Sequence, residues 1–192
     1  MSMLLAIVAA FLVGSVPTGV IVARFKGVDL RKVGSGNIGA TNVGRALGKK
    51  WALLVLLADA SKGALPVLFL ERLTTDPWLP ALAGLSAVLG QVFSVFLGGR
   101  GGKGVATSLG AGLALAPLPA LACGGVFAIL FALFRIASIG SLAALVCFPA
   151  FLWLFELDTL PRLTFAGVVA VVVIARHKDN LTRLLRGEEH RA

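Results

Sequence analysis

Residues 51–70 read WALLVLLADASKGALPVLFL, an apolar run interrupted near its centre by two charged residues, Asp59 and Lys62. A helix needs about 20 residues to cross the hydrocarbon core of a bilayer, so this run has the length of a membrane span. Charged side chains at membrane depth are costly and usually face the interior of a helix bundle in pairs. Because Asp59 and Lys62 stand three residues apart, we expect a structural ion pair on one helix face, with a functional role as the less favoured alternative.

Similar apolar runs fill the rest of the chain. Of the 192 residues, 58% are hydrophobic and 14% are charged, against about 25% charged in an ordinary soluble domain. Backbone groups in lipid must hydrogen-bond internally, which favours helices, and the alternating segments of a membrane barrel are absent. The runs predict an all-α membrane protein, a bundle of seven transmembrane helices forming one domain over residues 1–192: 2–23, 51–70, 79–97, 105–117, 118–134, 136–155 and 163–175.

Two of these runs, 105–117 and 163–175, are short, and the sequence leaves open whether they cross the bilayer fully. The first run is too long for the apolar part of a secretory signal and has no basic residue before it, so we expect a retained span. The polar Gln91 and Ser94 of the third run are expected to form hydrogen bonds between helices.

The basic residues are distributed unequally between the two sides of the predicted bundle. Of 18 Lys and Arg residues, fifteen lie in the first, third and fifth connections and in the C-terminal tail, whereas only Arg72 and Arg162 lie in the others. The positive-inside rule therefore places the odd connections and the C-terminus in the cytoplasm and the N-terminus outside. This orientation accounts for most of the net charge of +9. Nucleic-acid binding is not indicated, because the sequence lacks a pattern of alternating basic and aromatic residues.

Three polar segments lie on this predicted cytoplasmic face. The first, 34–45, reads GSGNIGATNVGR. Its glycines permit positive φ and close approach of the backbone to a ligand, and an arginine in such a setting suits bidentate phosphate binding. A flexible glycine-rich linker is the alternative. The candidate ligand-binding side chains are Ser35, Asn37, Thr41, Asn42 and Arg45.

The second segment, 98–107, reads GGRGGKGVAT and forms a sharp turn before a helix. Backbone amides in such a turn create an anion site. A nucleotide P-loop is excluded, because no strand precedes the segment and no Ser or Thr follows its lysine. The candidate binding residues are Arg100, Gly101, Gly102, Lys103, Gly104 and Thr107.

The third segment, 175–189, reads ARHKDNLTRLLRGEE. His177 and Asn180 stand three apart, so one helical turn places them on the same face. An amphipathic tail lying on lipid headgroups is the alternative. The two histidines of the chain lack zinc-ligand spacing, so no metal is expected. No Gly-x-Ser-x-Gly elbow occurs, so an ordinary catalytic triad is not expected either.

Together, the stretches SGNIGATNVGR (35–45), GGKGVAT (101–107) and ARHKDNLTRLL (175–185) closely resemble three motifs of the bacterial acyl-phosphate:glycerol-3-phosphate acyltransferases, in order and spacing along the whole chain. The resemblance implies a seven-span inner-membrane enzyme without a cofactor. It would transfer a fatty acyl group from acyl phosphate to position 1 of glycerol 3-phosphate, releasing lysophosphatidic acid and phosphate. Its partners are then these substrates and membrane lipid; the oligomeric state stays open, and a monomer is compatible. Gln91 stands where many relatives have histidine.

The resemblance also implies roles for the motif residues. Ser35, Arg45 and Lys103 would hold phosphate with the glycine amides, and His177 and Asn180 would orient the attacking hydroxyl. The proton acceptor is left open between His177 and a phosphate oxygen of the substrate. Glu188 is expected to brace the tail by pairing with Arg183 or with another basic residue. A transporter or flippase for a phosphorylated lipid precursor is the competing hypothesis, but it should show an inverted repeat and polar groups at mid-membrane, and neither is detected.

Overall fold

The computed structural model describes residues 3–191. Within them the chain forms ten α-helices, α1 to α10, with short 3₁₀ turns at Leu30–Lys32 and Val95–Leu97. The helices are, in order, Met3–Ser15, Thr18–Phe25, Ala40–Leu47, Lys49–Leu73, Trp78–Val92, Val105–Leu115, Pro117–Phe134, Ala137–Leu154, Leu160–Ala175 and Lys178–Leu185.

The prediction of an all-helical membrane fold is confirmed, and the helices differ in their capacity to cross a bilayer. Five segments of the described chain are long and apolar enough to do so. A sixth candidate joins α9 and α10, which are bent by 59° at their junction. Helix α6 has only 11 residues and is therefore about 16 Å long. The long spans are Met3–Phe25, Lys49–Leu73, Trp78–Leu97, Pro117–Phe134 and Ala137–Leu154.

The first span is broken between α1 and α2 at Pro17, which has no backbone N–H to continue the helix. At this break the Val16 carbonyl accepts a hydrogen bond from Lys62 Nζ at 2.6 Å. The same Nζ lies 2.7 Å from Asp59 Oδ1. The expected ion pair is therefore present, with both side chains buried. It ties α4 to the irregular backbone of the first span.

Close contacts between the membrane helices rely on small residues. A Cβ on Gly14 of α1 would lie 2.0 Å from the carbonyl oxygen of Ala87 in α5. Ser86 Oγ donates to the carbonyl of Ile7, and Ser94 Oγ to that of Ser15. Since the partner numbers rise together, α1 and α5 run parallel. The interhelical role expected for Ser94 is confirmed.

Apolar side chains occupy both the inside and the outside of the bundle. A core of buried residues from α4 to α9 includes Val88, Leu152 and Phe165. Large apolar side chains such as Ile129 and Trp153 remain exposed on the outer helix faces. An exposed apolar surface of this kind is suited to lipid.

Candidate active site

The three polar segments converge on one pocket of about 140 Å³, called here the polar pocket. It lies where α3, the turn before α6 and the start of α10 meet. Most of the predicted site residues line it together, although they are far apart in sequence: Ser35, Asn37, Thr41, Asn42, Arg45, Lys103, Gly104, Thr107, His177 and Asn180.

Asn42 organises the first segment rather than presenting its side chain freely to a ligand. Its Nδ2 donates to the carbonyls of Leu30, Val33 and Asn37, and its Oδ1 accepts from the backbone N–H of Ser35 at 3.1 Å. The side chain is buried. These hydrogen bonds shape the loop that carries Ser35 into the pocket.

The glycine-rich turn differs from the expectation in two respects. The amides of Gly101 and Gly102 donate to the carbonyls of Val92 and Gln91, at 3.0 and 2.9 Å, so they are engaged with α5 and do not face a ligand. A Cβ on Gly101 would lie 2.1 Å from the Gln91 carbonyl oxygen, which explains the glycine there. The Arg100 side chain lines a separate cavity, because the turn directs it away from the polar pocket.

Lys103, in contrast, enters the polar pocket from this turn. Its Nζ donates to Asn180 Oδ1. Gly104 follows with a φ of +87°, a conformation that favours glycine, and caps the N-terminus of α6. The turn thus delivers one ammonium group, and one helix start, to the site.

His177 stands at the bend between α9 and α10, which brings it to the pocket beside Asn180, as their spacing predicted. Its imidazole is 1% exposed, and its Nδ1 lies 2.7 Å from the Val173 carbonyl oxygen. A carbonyl only accepts, so Nδ1 carries the proton, and in the neutral ring Nε2 is left as an acceptor.

The tail folds back over the site through Glu189, a residue that the sequence reasoning did not select. Its carboxylate accepts from Asn180 Nδ2 at 2.7 Å and from Arg183 Nε at 3.0 Å. The predicted brace was Glu188, which is exposed and engages Arg183 only through its backbone N–H. The turn at Gly187, with a φ of +71°, directs the second of the two adjacent glutamates inward.

The electrostatics of the polar pocket favour an anion. Burial lowers the pKa of Lys103 to about 8 and that of the Arg45 guanidinium below its usual value, with Glu189 opposing both shifts. Burial, followed by the charge of Lys103, lowers the pKa of His177 to about 4, so the imidazole is neutral near pH 7. Arg45 Nε is buried without a hydrogen-bond partner among the described residues, which leaves a donor available.

Hydroxyl groups that the sequence reasoning missed also line the polar pocket. Ser138 and Ser141 stand in the first two turns of α8, inside a run that reads as an ordinary apolar span. Within the described chain, the buried oxygens Ser138 Oγ and Thr107 Oγ1 have no hydrogen-bond partner. Buried polar groups are normally paired, so two buried hydroxyls without a partner mark a place where a ligand can supply one.

Two further cavities adjoin the polar pocket. An apolar pocket of about 240 Å³ runs between the membrane helices and shares five of its lining residues: Leu56, Val105, Ala106, Phe127 and Ser141. A basic cleft of about 150 Å³ lies beside the tail, with Arg31, Arg176, Lys178 and Arg183 in its lining. It shares Ser35, Asn37, Lys103 and Asn180 with the polar pocket. The site is therefore connected to an apolar route and to a polar one.

Among residues 3–191, no group of three or more His, Cys, Asp or Glu side chains is placed to hold a metal ion. The groups of the site left to bind a ligand are cationic, hydroxyl and amide groups, since the two carboxylates that also line it, Asp59 and Glu189, pair with Lys62 and Arg183. These groups match phosphate chemistry.

Comparison with known proteins gives a consistent result. The chain is 46% identical over 183 residues to a glycerol-3-phosphate acyltransferase of Geobacter sulfurreducens, covering 95% of this chain and 93% of that protein. It is 44% identical to that of Aquifex aeolicus, with both chains covered completely, and 50% identical to that of Synechococcus sp. strain JA-3-3Ab, covering 100% and 94%.

Solved structures agree. The crystal structure of PlsY (YgiH), an integral membrane glycerol 3-phosphate acyltransferase, in its glycerol 3-phosphate form matches with a TM-score of 0.96 at 42% identity, covering 100% of this chain and 96% of that one. The lysophosphatidic acid form matches with a TM-score of 0.93. The family model for glycerol-3-phosphate acyltransferase matches residues 4–187. With this match over nearly its whole length, the chain belongs to the glycerol-3-phosphate acyltransferase family.

Proposed function

We propose that this protein transfers a fatty acyl group from acyl phosphate to the 1-hydroxyl of glycerol 3-phosphate in phospholipid synthesis. One observation carries the proposal: a single cationic pocket is joined to an apolar pocket among the membrane helices and to a basic cleft at the polar face. The reaction needs this combination, because acyl phosphate carries a long apolar chain and glycerol 3-phosphate is water-soluble. Both substrates carry a phosphate group, which the cations of the polar pocket bind.

Glycerol 3-phosphate enters through the basic cleft, whose positive charge attracts anions from solution. Lys103 and Arg45 then hold its phosphate with charge-assisted hydrogen bonds. Ser35 adds a hydroxyl donor, while Asn180 and His177 lie in the same pocket and orient the glycerol hydroxyls. The cations also offset the repulsion between the two phosphorylated substrates.

Acyl phosphate approaches from the bilayer with its chain in the apolar pocket. Its phosphate then lies where the apolar and polar pockets meet, next to the hydroxyls of Ser138 and Ser141. The unpartnered Oγ of Ser138 and Oγ1 of Thr107 donate to this phosphate. Gly104 and the start of α6 contribute backbone N–H groups.

In the chemical step the 1-hydroxyl oxygen attacks the acyl carbonyl carbon. A new ester C–O bond forms, the bond from the carbonyl carbon to the phosphate oxygen breaks, and phosphate leaves with that electron pair. Holding both substrates in near-attack geometry lowers the activation free energy by about 7–11 kcal/mol. A phosphate oxygen takes the hydroxyl proton, since His177 is a weak base with a pKa of about 4. His177 acts as a positioning residue through its Nε2.

The proposal includes seven crossings of a bacterial inner membrane, with the N-terminus outside and the C-terminus in the cytoplasm. Parallel α1 and α5 support its first part, because the single crossing of α4 between them returns the chain to the side from which α1 started. The short α6 then starts at the polar pocket, where the cytoplasmic surface reaches into the bundle. Cysteine labelling in sealed vesicles tests the orientation: Arg45→Cys and Arg186→Cys should react from the cytoplasmic side, and labelling from opposite sides would contradict the topology.

We also infer that residues 1–192 form one catalytic domain and that a monomer is sufficient for the reaction. The support is that the polar pocket shares lining residues with both the apolar pocket and the basic cleft, so the two routes meet within one bundle. A purified monomer without activity, with activity recovered only on dimerisation, would contradict this inference.

The activity itself is tested with purified protein, an acyl phosphate and glycerol 3-phosphate. Phosphate release should match the formation of lysophosphatidic acid, measured by mass spectrometry. Replacing the donor with the corresponding acyl-CoA should give little product. If acyl phosphate yields no phosphate release while the protein moves a phosphorylated lipid across vesicles, the transporter hypothesis holds instead.

A further inference from the structure

A fourth cavity lies beside the end of the first span, outside the site described above. It measures about 570 Å³ and is enclosed by the last turn of α2, the chain that follows it and the turn before α6. It is called here the lateral cavity. Among the described residues, none that lines it also lines the polar pocket. It shares Arg31 with the basic cleft, and the mechanism above uses none of its other lining residues.

The polar part of the lateral cavity is strongly basic. Arg24, Arg31 and Arg100 line it, against one acid, Asp29. The Asp29 carboxylate is already engaged, since Oδ1 accepts from the backbone N–H of Arg31 at 3.0 Å and Oδ2 lies 4.0 Å from Lys32 Nζ. The guanidinium groups of Arg24 and Arg100 make no hydrogen bond or ion pair within residues 3–191. The cavity thus holds uncompensated positive charge.

The rest of the cavity wall is mostly apolar, with Val20 of α2 and Leu97 of the 3₁₀ turn in its lining. Phe25 and Phe96, on the same two elements, are 86% and 60% exposed. Phe25 ends α2 and with it the first apolar span. A basic concave surface flanked by exposed phenylalanines at a span end matches the boundary between headgroups and acyl chains.

We propose that the lateral cavity binds the phosphate headgroup of an anionic phospholipid. Arg24 and Arg100 hold the phosphodiester, and the apolar wall together with Phe25 and Phe96 contacts the upper part of the acyl chains. A lipid fits better than a small soluble anion, because apolar residues such as Val20, Val28 and Leu97 line the cavity together with the arginines, and a small anion would leave them without a partner. The lateral cavity lies beside the glycine-rich turn that carries Lys103, since Arg31 Nη2 donates to the carbonyl of Arg100.

Binding is measured by calorimetry on the full-length protein in neutral detergent, without substrates, so the readout is independent of turnover. The probes are dioctanoyl phosphatidylglycerol, dioctanoyl phosphatidylcholine and inorganic phosphate. The first should bind at least about tenfold more tightly than the second, and inorganic phosphate at the same concentration should not displace it. A lack of preference for phosphatidylglycerol, or its displacement by phosphate, would overturn the proposal.

Variants locate the binding. Arg24→Gln combined with Arg100→Gln should weaken phosphatidylglycerol about tenfold, and Arg24→Gln alone about threefold. Both residues are exposed, and the single variant serves if the double variant does not purify as a monodisperse protein. Lys49→Gln with Lys50→Gln removes the same charge elsewhere and should leave the affinity within about twofold. Equal loss in this control would indicate diffuse charge, and loss only in Lys103→Met would place the lipid in the polar pocket; either result contradicts the proposal.

Discussion

Lys103 Nζ donates a hydrogen bond to Asn180 Oδ1, joining the glycine-rich turn to the tail across 77 residues of sequence. Asn180 in turn donates to Glu189, whose carboxylate also pairs with Arg183. The ammonium group is therefore held at the site by an amide rather than neutralised by a carboxylate. Lys103 keeps its charge available for substrate phosphate.

Lys103→Met should reduce kcat/KM for glycerol 3-phosphate by about 100-fold or more, a loss typical of removing one preorganised donor to developing charge. Lys103→Arg should recover part of the activity, because it keeps the positive charge but not the geometry. Steady-state phosphate release measures both. Lys49→Met, at an exposed lysine that lines none of the three cavities of the site, is the matched control and should keep wild-type kinetics. An equal loss in this control would argue against a specific role for Lys103.

The pKa of about 8 at Lys103 predicts a pH dependence of substrate binding. The pKa lies below its usual value because burial disfavours the charged form, so the free enzyme loses this charge as pH rises through about 8. KM for glycerol 3-phosphate should therefore be low below pH 8 and rise above it. Bound phosphate favours the charged amine, so kcat should vary less. Lys103→Arg should show a flat KM up to pH 9.5, and an unchanged rise in that variant would assign the titration elsewhere.

His177→Gln separates positioning from proton transfer. Loss of a general base typically lowers kcat by about 10²–10⁴-fold. A positioning role predicts a decrease in kcat smaller than about 100-fold, with the wild-type pH profile retained from pH 6 to 9. His177→Ala should lose more, because it removes the polar group altogether. Single-turnover rates across pH give the comparison. A kcat that rises in proportion to hydroxide in His177→Gln would assign the proton transfer to His177.

Asp59 and Lys62 should be energetically coupled, because their buried charges lie 2.7 Å apart. Lys62→Met leaves a buried carboxylate without its partner, at a cost of about 3–5 kcal/mol. Asp59→Asn combined with Lys62→Met should cost less than the sum of the two single substitutions. Thermal unfolding in detergent measures all three variants. Additive effects would show that the two residues act independently.

Gly14→Ala should destabilise the bundle, because its Cβ would lie 2.0 Å from the Ala87 carbonyl oxygen and force α1 away from α5. Overpacking of this kind costs about 1–3 kcal/mol. Gly167→Ala is the matched control: apart from its own helix backbone, no atom lies within 4 Å of the added Cβ, so stability should stay equal or rise. The two midpoints of thermal unfolding are compared directly. A Gly14→Ala midpoint at or above that of Gly167→Ala would contradict the tight helix contact.

The polar segments could be identified from their residues, but their contacts could not. Spacing predicted that His177 and Asn180 share a face, and both line the polar pocket. Ser138 and Ser141 of α8 could not be predicted as site residues, because they lie in a run whose composition is that of an ordinary span. The choice between Glu188 and Glu189 depends on the turn at Gly187, which composition does not specify.

Hydrophobic run length and the distribution of basic residues determined the membrane class and predicted the orientation, since both follow from the transfer of individual residues between water and lipid. The three motifs determined the family. Only the tertiary structure decided that the amides of Gly101 and Gly102 bind α5 and that Arg100 faces a separate cavity. The reason is physical: hydrophobicity adds up along a chain, whereas the direction of a side chain depends on backbone turns and on partners distant in sequence.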